Sequence, residues 1–206
     1  MKNTTITTIA IAVAVGLMFS ASALAQTASS AEYKASLERI NAEYAADKNN
    51  CASLSGNAKD ICMAQAKGKE KVAKADLDAA RKNTKKARYD ARVAKANADY
   101  AVAKEKCDDL AGNDKDVCLK EAKAAEVSAQ ADAKAQMKIS DANQKANKET
   151  AETRQDVSDT STHAVREADS DKRDAEYAVA KEKCDALAGS AKNNCIHEAK
   201  THYNKM

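Results

Sequence analysis

ADYAVAKEKCDDLAG, residues 98–112, returns as AEYAVAKEKCDALAG at residues 175–189, with 13 of 15 positions identical, and more loosely as AEYAADKNNCASLSG at residues 42–56. Downstream the three copies share C-x2-L-x-G-[NS]-x-K-[DN]-x-C, so the six cysteines fall into couples eleven residues apart: Cys51 with Cys62, Cys107 with Cys118, Cys184 with Cys195. Glycine takes the left-handed conformation at a helix C-terminus without a Cβ penalty, so Gly56, Gly112 and Gly189 are expected to stop a helix. Asn57, Asn113 or Ser190 follows as an N-cap for a second helix. Asp60, Asp116 or Asn193 stands three residues further on, in the manner of a capping box. Each copy therefore reads as a helix, a tight turn and a returning helix.

In such a hairpin the two cysteines lie about level on adjacent helices, where a disulfide can close across the turn. Six cysteines allow 15 connectivities. The identical local spacing in three copies selects the three local pairs. Closing a loop of about 12 residues contributes roughly 3 kcal/mol in the chain-entropy model, a large share for a chain with few bulky side chains.

Upstream of each turn the apolar residues keep a heptad. Tyr33, Leu37, Ile40, Tyr44, Cys51 and Leu54 form the first seam, interrupted by Asp47, and Tyr89, Val93, Ala96, Tyr100, Ala103, Cys107 and Leu110 form an unbroken second. The third keeps only Tyr177, Ala180, Cys184 and Leu187, because Arg166, Ser170 and Arg173 replace its upstream members. The expected fold class is all-α: elongated antiparallel helical hairpins of coiled-coil type in three disulfide-stapled repeats. The expected organisation is a first hairpin over 26–82, a second over 83–149, a polar linker or frayed helix over 150–169, and a short third hairpin over 170–206. No strong stop signal lies between Asn57 and Leu110, and ARKNTKKARYD is the place where a long helix there would bend.

Composition agrees with this class. The chain holds 47 alanines, no proline and no tryptophan, which favours helix and denies the material for a large core. Residues 1–25 carry the three parts of a secretory signal peptide: Lys2, an apolar run from Ile6 to Phe19, and Ala23-Leu24-Ala25 before Gln26. A run of about 14 residues is shorter than the roughly 20 of a spanning helix, so the expectation is cleavage and export to the periplasm of a Gram-negative cell, with no membrane span afterwards. Without Lys2 the 34 basic side chains become 33 against 31 acidic ones, which gives no electrostatic case for nucleic acid.

In its signal segment, its alanine-rich charged helices and its repeated YAVAKEKCDxLAG unit, the chain resembles small exported Ala/Lys-rich bacterial proteins labelled cell envelope biogenesis protein TolA. The resemblance covers most of the exported chain and implies location and a loose envelope association, without an activity. TolA itself has an uncleaved membrane anchor and a globular C-terminal domain, neither of which is expected here. The L-x-G turn followed by cysteine is also distantly similar to the PsiF repeat, with a different cysteine spacing.

The candidate functional residues are the six cysteines as disulfides, Gly56, Gly112 and Gly189 as hairpin turns, and Tyr44, Leu54, Tyr100, Leu110, Tyr177 and Leu187 as seam. Two cysteines per hairpin do not complete a four-ligand zinc shell, so no metal or other cofactor is expected. Cys195, His197 and His202 make the one mixed cluster, and a solvated helix end accounts for both histidines. Redox enzymes carry closer pairs such as C-x-x-C, and no phosphate loop or Ser/His/Asp grouping is present, so no catalysis is expected. The resulting expectation is a non-enzymatic periplasmic helical repeat protein with a structural, envelope-associated or stress-related interaction role. Its partners would be other envelope proteins or a second copy of itself. The alternative is a binding protein for soft metals or redox stress acting through its thiols.

Overall fold

The computed structural model describes residues 30–147 and 151–205, with only the backbone of 151–154; the expected signal segment lies outside the described residues. Six helices follow in order: α1 (Ser30–Cys51), α2 (Gly56–Lys82), α3 (Lys85–Cys107), α4 (Gly112–Ala146), α5 (Ala151–Cys184) and α6 (Gly189–His202), and no strand occurs among the described residues. Among the described residues each helix packs against its neighbours in sequence and against no other helix. On α3, Cys107 is bonded to α4 while Ala98 meets Gly68 of α2. These positions are nine residues apart, which at 3.6 residues per turn places them on opposite sides of the helix. The helices consequently form a single layer of antiparallel neighbours, the all-α hairpin class that the sequence indicates.

What holds the layer together is small. Its buried apolar residues are almost all alanine, with Ile40 and Cys51, Cys107 and Cys184 besides, and those three cysteines are the largest fully buried side chains. Ala131 and Ala135 of α4 cluster with Ala164 and Ala168 of α5, and Ile139 packs on them. Alanine lets helix axes approach closely, and it does so here in place of interlocking large side chains.

Several expectations are corrected. Residues 151–169 are the first half of α5, packed along α4 through Ala164 and Ala168, so they are neither linker nor frayed end. The Ser, Thr and Asp residues read as a break are mostly exposed on this helix, and Ala164 and Ala168 supply its buried stripe. The long helix considered for 57–110 is divided inside the stretch expected to bend: Asn83 adopts a left-handed conformation at φ 46°, and the Thr84 hydroxyl accepts a hydrogen bond from the Ala87 N–H at 3.1 Å. At its place in the first seam Asp47 makes a polar contact in place of apolar packing. It accepts a hydrogen bond and an ion pair from Lys69 of α2 at 3.1 Å.

Candidate functional site

The three stapled turns share one geometry. The disulfides join Cys51 to Cys62, Cys107 to Cys118 and Cys184 to Cys195, with Cα atoms 5.6, 5.6 and 5.7 Å apart, and no cysteine among the described residues is free. Each first helix ends at its cysteine, four residues cross over, and the glycine enters the second helix at φ 56°, 58° or 59°. Glycine thus supplies the left-handed residue as expected, but at the start of the returning helix and not at the stop of the first. The N–H of Leu54, Leu110 or Leu187 closes the crossing by donating to the carbonyl of the preceding cysteine at 3.0–3.1 Å. No side chain caps these returning helices. The Asn57 amide donates to the Glu105 carbonyl at the end of α3, at 2.8 Å, tying the first turn to the second. Lys183 and Glu121, 2.6 Å apart, tie the second to the third. All three disulfides therefore sit along one edge of the layer.

The turns differ in charge. Lys115 pairs with Asp108 at 2.9 Å and Lys192 with Asp185 at 2.8 Å, which holds the Asp185 carboxyl below its ordinary range. The first turn keeps the lysine, Lys59, but has Ala52 in place of the aspartate.

The seam assignment divides. Tyr44, Tyr100 and Tyr177 are half-buried, with Lys48 over the first ring, Lys123 over the second and Tyr203 beside the third. Leu54, Leu110 and Leu187 are 41, 44 and 43 % exposed, so they are not seam. The helical period that would carry them onto the seam ends at the cysteine, three residues earlier. They line the stapled edge instead, one at each turn.

His202 stacks edge-on against Tyr203 at 4.6 Å, and Cys195, seven residues earlier on α6, is bonded to Cys184, so the end of α6 offers no thiolate. Among the described residues no group of three or more His, Cys, Asp and Glu side chains could hold a metal ion, and no helix is long and apolar enough to cross a membrane. The cavities are open grooves between adjacent helices. One of about 690 Å³ lies between α4 and α5 beside Ala142, Val157 and His163, and one of about 780 Å³ flanks the Gly68–Ala98 contact. The first is also lined by Asp141, Asp156 and Asp159, and the second by Asp76, Lys95 and Asp99.

Sequence reasoning missed two polar clusters. Glu167 of α5 accepts from Lys134 at 2.7 Å and from Lys138, and these two bonds hold its carboxyl at about 2, well below the ordinary 4.5. The Tyr33 hydroxyl donates to Asp78 of α2 at 2.6 Å beside the Arg81 guanidinium; this bond raises the phenol, while Lys82 first and Tyr33 next hold the Asp78 carboxyl below its ordinary range. Both join residues 29 or more positions apart, beyond the reach of the i,i+4 rule by which Glu70–Lys74 and Asp78–Lys82 are legible.

Compared with known proteins, the chain matches no family model, no curated protein and no solved structure.

Proposed function

We propose that this chain is a non-enzymatic periplasmic helical repeat protein with a structural or envelope-associated role, offering its charged helical faces to other proteins. The observation that carries this reading is the use made of the cysteines: all six are spent on three identical staples along one edge of a thin layer of helices. Disulfides of this kind persist in oxidising compartments, and they suit a chain whose buried residues are mostly alanine. The apolar run within residues 1–25 and the resemblance to exported Ala/Lys-rich envelope proteins supply the periplasmic location. Two broad faces of lysine, arginine, aspartate and glutamate, without a convergent site, suit contact with proteins better than small-molecule chemistry.

The test is to isolate the chain directly from the periplasm, titrate its thiols and metal, and identify crosslinked partners. Fully oxidised, metal-free protein carrying a reproducible set of envelope partners supports the reading. Free thiols or stoichiometric metal in fresh material would replace it with a thiol-based binding role.

A further inference from the structure

The two outer helices of the layer are not alike. The first and second cysteine units are 56 residues apart and the second and third 77. These steps align Ala87 and Ala91 of α3 with Ala31 and Ala35 of α1, and with Ala164 and Ala168 of α5. In α5 this pair is buried against Ala131 and Ala135 of α4. In α3 it is buried on the side from which Ala98 meets Gly68 of α2. In α1 the same positions, with Ala42 as the equivalent of Ala98, are exposed, and no described helix covers them. Two of three repeats therefore show what this face receives, which is an antiparallel helix.

At the other end the layer is closed. Ile61 and Gly68 of α2, and Val117 and Ala124 of α4, are the positions turned toward the next repeat; in α6 they are Asn194 and Thr201, both exposed. A polar outer face is the mark of a terminal repeat. Head-to-tail growth, α6 of one copy on α1 of the next, is thus disfavoured, while an α1 face remains complementary to another α1.

We propose that the chain self-associates through the outer face of α1, two copies packing these helices antiparallel about a two-fold axis. This goes beyond the contact with other proteins proposed above. Antiparallel packing repeats the direction of every neighbouring pair in the layer. A parallel pair would oppose Glu38 to Glu38 and Lys34 to Lys34. An antiparallel pair centred near residue 36 sets Ala31 opposite Ala42 of the other copy and Glu38 beside its Lys34, twice by symmetry. One helix pair is less than a standard interface, so the dimer is weak and concentration-dependent.

Sedimentation equilibrium on the oxidised chain as isolated from the cell tests this. The expected mass rises from one chain to two with concentration. Ala35→Glu, at an exposed site, raises the dimer dissociation constant roughly tenfold or more, about 1.4 kcal/mol, with the helical circular dichroism unchanged. Lys34→Glu weakens the dimer, and Lys34→Glu combined with Glu38→Lys restores it. Thr201→Glu has no effect. A single-chain mass up to about 1 mM, a dimer indifferent to Ala35→Glu, or one abolished by Thr201→Glu would each overturn the proposal. None of these would touch the crosslinked envelope partners, on which the broader reading stands or falls separately.

Discussion

Contacts within a repeat and contacts between repeats are built differently. Within repeats, α1 meets α2, α3 meets α4 and α5 meets α6 around a disulfide, with modest apolar burial at the two ends of the layer: Ile40, Cys51 and Ala66 in the first repeat, Cys184 and Ala199 in the third. Between repeats no covalent bond exists. There α2 meets α3 through Gly68 and Ala98, and α4 meets α5 along an alanine cluster, over helices of 23 to 35 residues. The chain reversal from α2 to α3 is managed by Asn83 and Thr84 with no staple at all. Between repeats close packing works without a covalent bond, whereas α3 and α4 have both. Where a helix is too short to gain enough by packing, as α6 is, the disulfide supplies what burial does not.

That contrast is tested most strongly by reduction. Breaking each staple removes roughly 3 kcal/mol by the chain-entropy estimate, a large fraction of the stability of a small domain. Amide exchange after mild reduction should release α6, residues 189–202, first. The α3–α4–α5 core should be released last, with α5 held by α4 even after α6 has gone. If α6 stays protected as long as α4, the division between stapled and packed contacts is wrong.

Next in size is a substitution at the closest contact between repeats. A Cβ added at Gly68 would lie 3.1 Å from that of Ala98, so Gly68→Ala must push the helices apart by a few tenths of an ångström, against which it gains about 1 kcal/mol of helix propensity. Gly68→Val has the same obstruction, a larger side chain and little compensation. It should cost about 1–3 kcal/mol in urea unfolding of the oxidised chain. An unchanged midpoint would show that α2 and α3 are not close-packed there.

How much of this was legible in the sequence follows from the range of each signal. The staples and the left-handed glycines were legible because they are local and repeated three times. The end of α2 was legible only as a polar stretch, since Asn83 announces a turn weakly beside the lysines around it. The leucines misled because the heptad was extended three residues past the cysteine at which the helix stops. Residues 151–169 misled for a different reason. Ser, Thr and Asp lower helix propensity, but Ala164 and Ala168 bury one stripe of that segment against α4, and such tertiary packing outweighs a few tenths of a kcal/mol per residue. The pairing of repeats across the layer could not be read from spacing, because alanine occurs on nearly every helical face.

A smaller effect is expected at the unstapled reversal. Thr84→Ala removes the hydroxyl that caps the Ala87 N–H and should cost about 1 kcal/mol in the same unfolding measurement. Asn83→Ala places a residue with a Cβ and no polar side chain at φ 46° and should cost about 1–2 kcal/mol. It also removes the acceptor for Arg88 at 2.7 Å. Asn83→Gly relieves the backbone and should lose less than Asn83→Ala. Equal losses for the two would mean that the Arg88 bond, not the backbone, fixes the corner.

The smallest effect separates the two kinds of contact by pH. A disulfide is indifferent to acid, but the ion pairs joining α4 to α5 are not. Glu167 has its folded-state carboxyl at about 2 against an ordinary 4.5, because Lys134 first and Lys138 next donate to it. The folded value is depressed, so the stabilisation is complete above about pH 4.5 and is lost as pH falls toward 2. Glu167→Gln should flatten that part of the stability curve while changing little at neutral pH, as expected of a solvent-screened pair. Asp185→Asn should also reduce acid sensitivity, but its effect belongs to the α5/α6 turn, where the disulfide already holds the geometry. The direct check is an NMR titration of the Glu167 carboxyl carbon in the oxidised protein. A midpoint near 2 places the lysine bonds in solution, while one near 4.5 would mean that α4 and α5 are joined by their alanines alone.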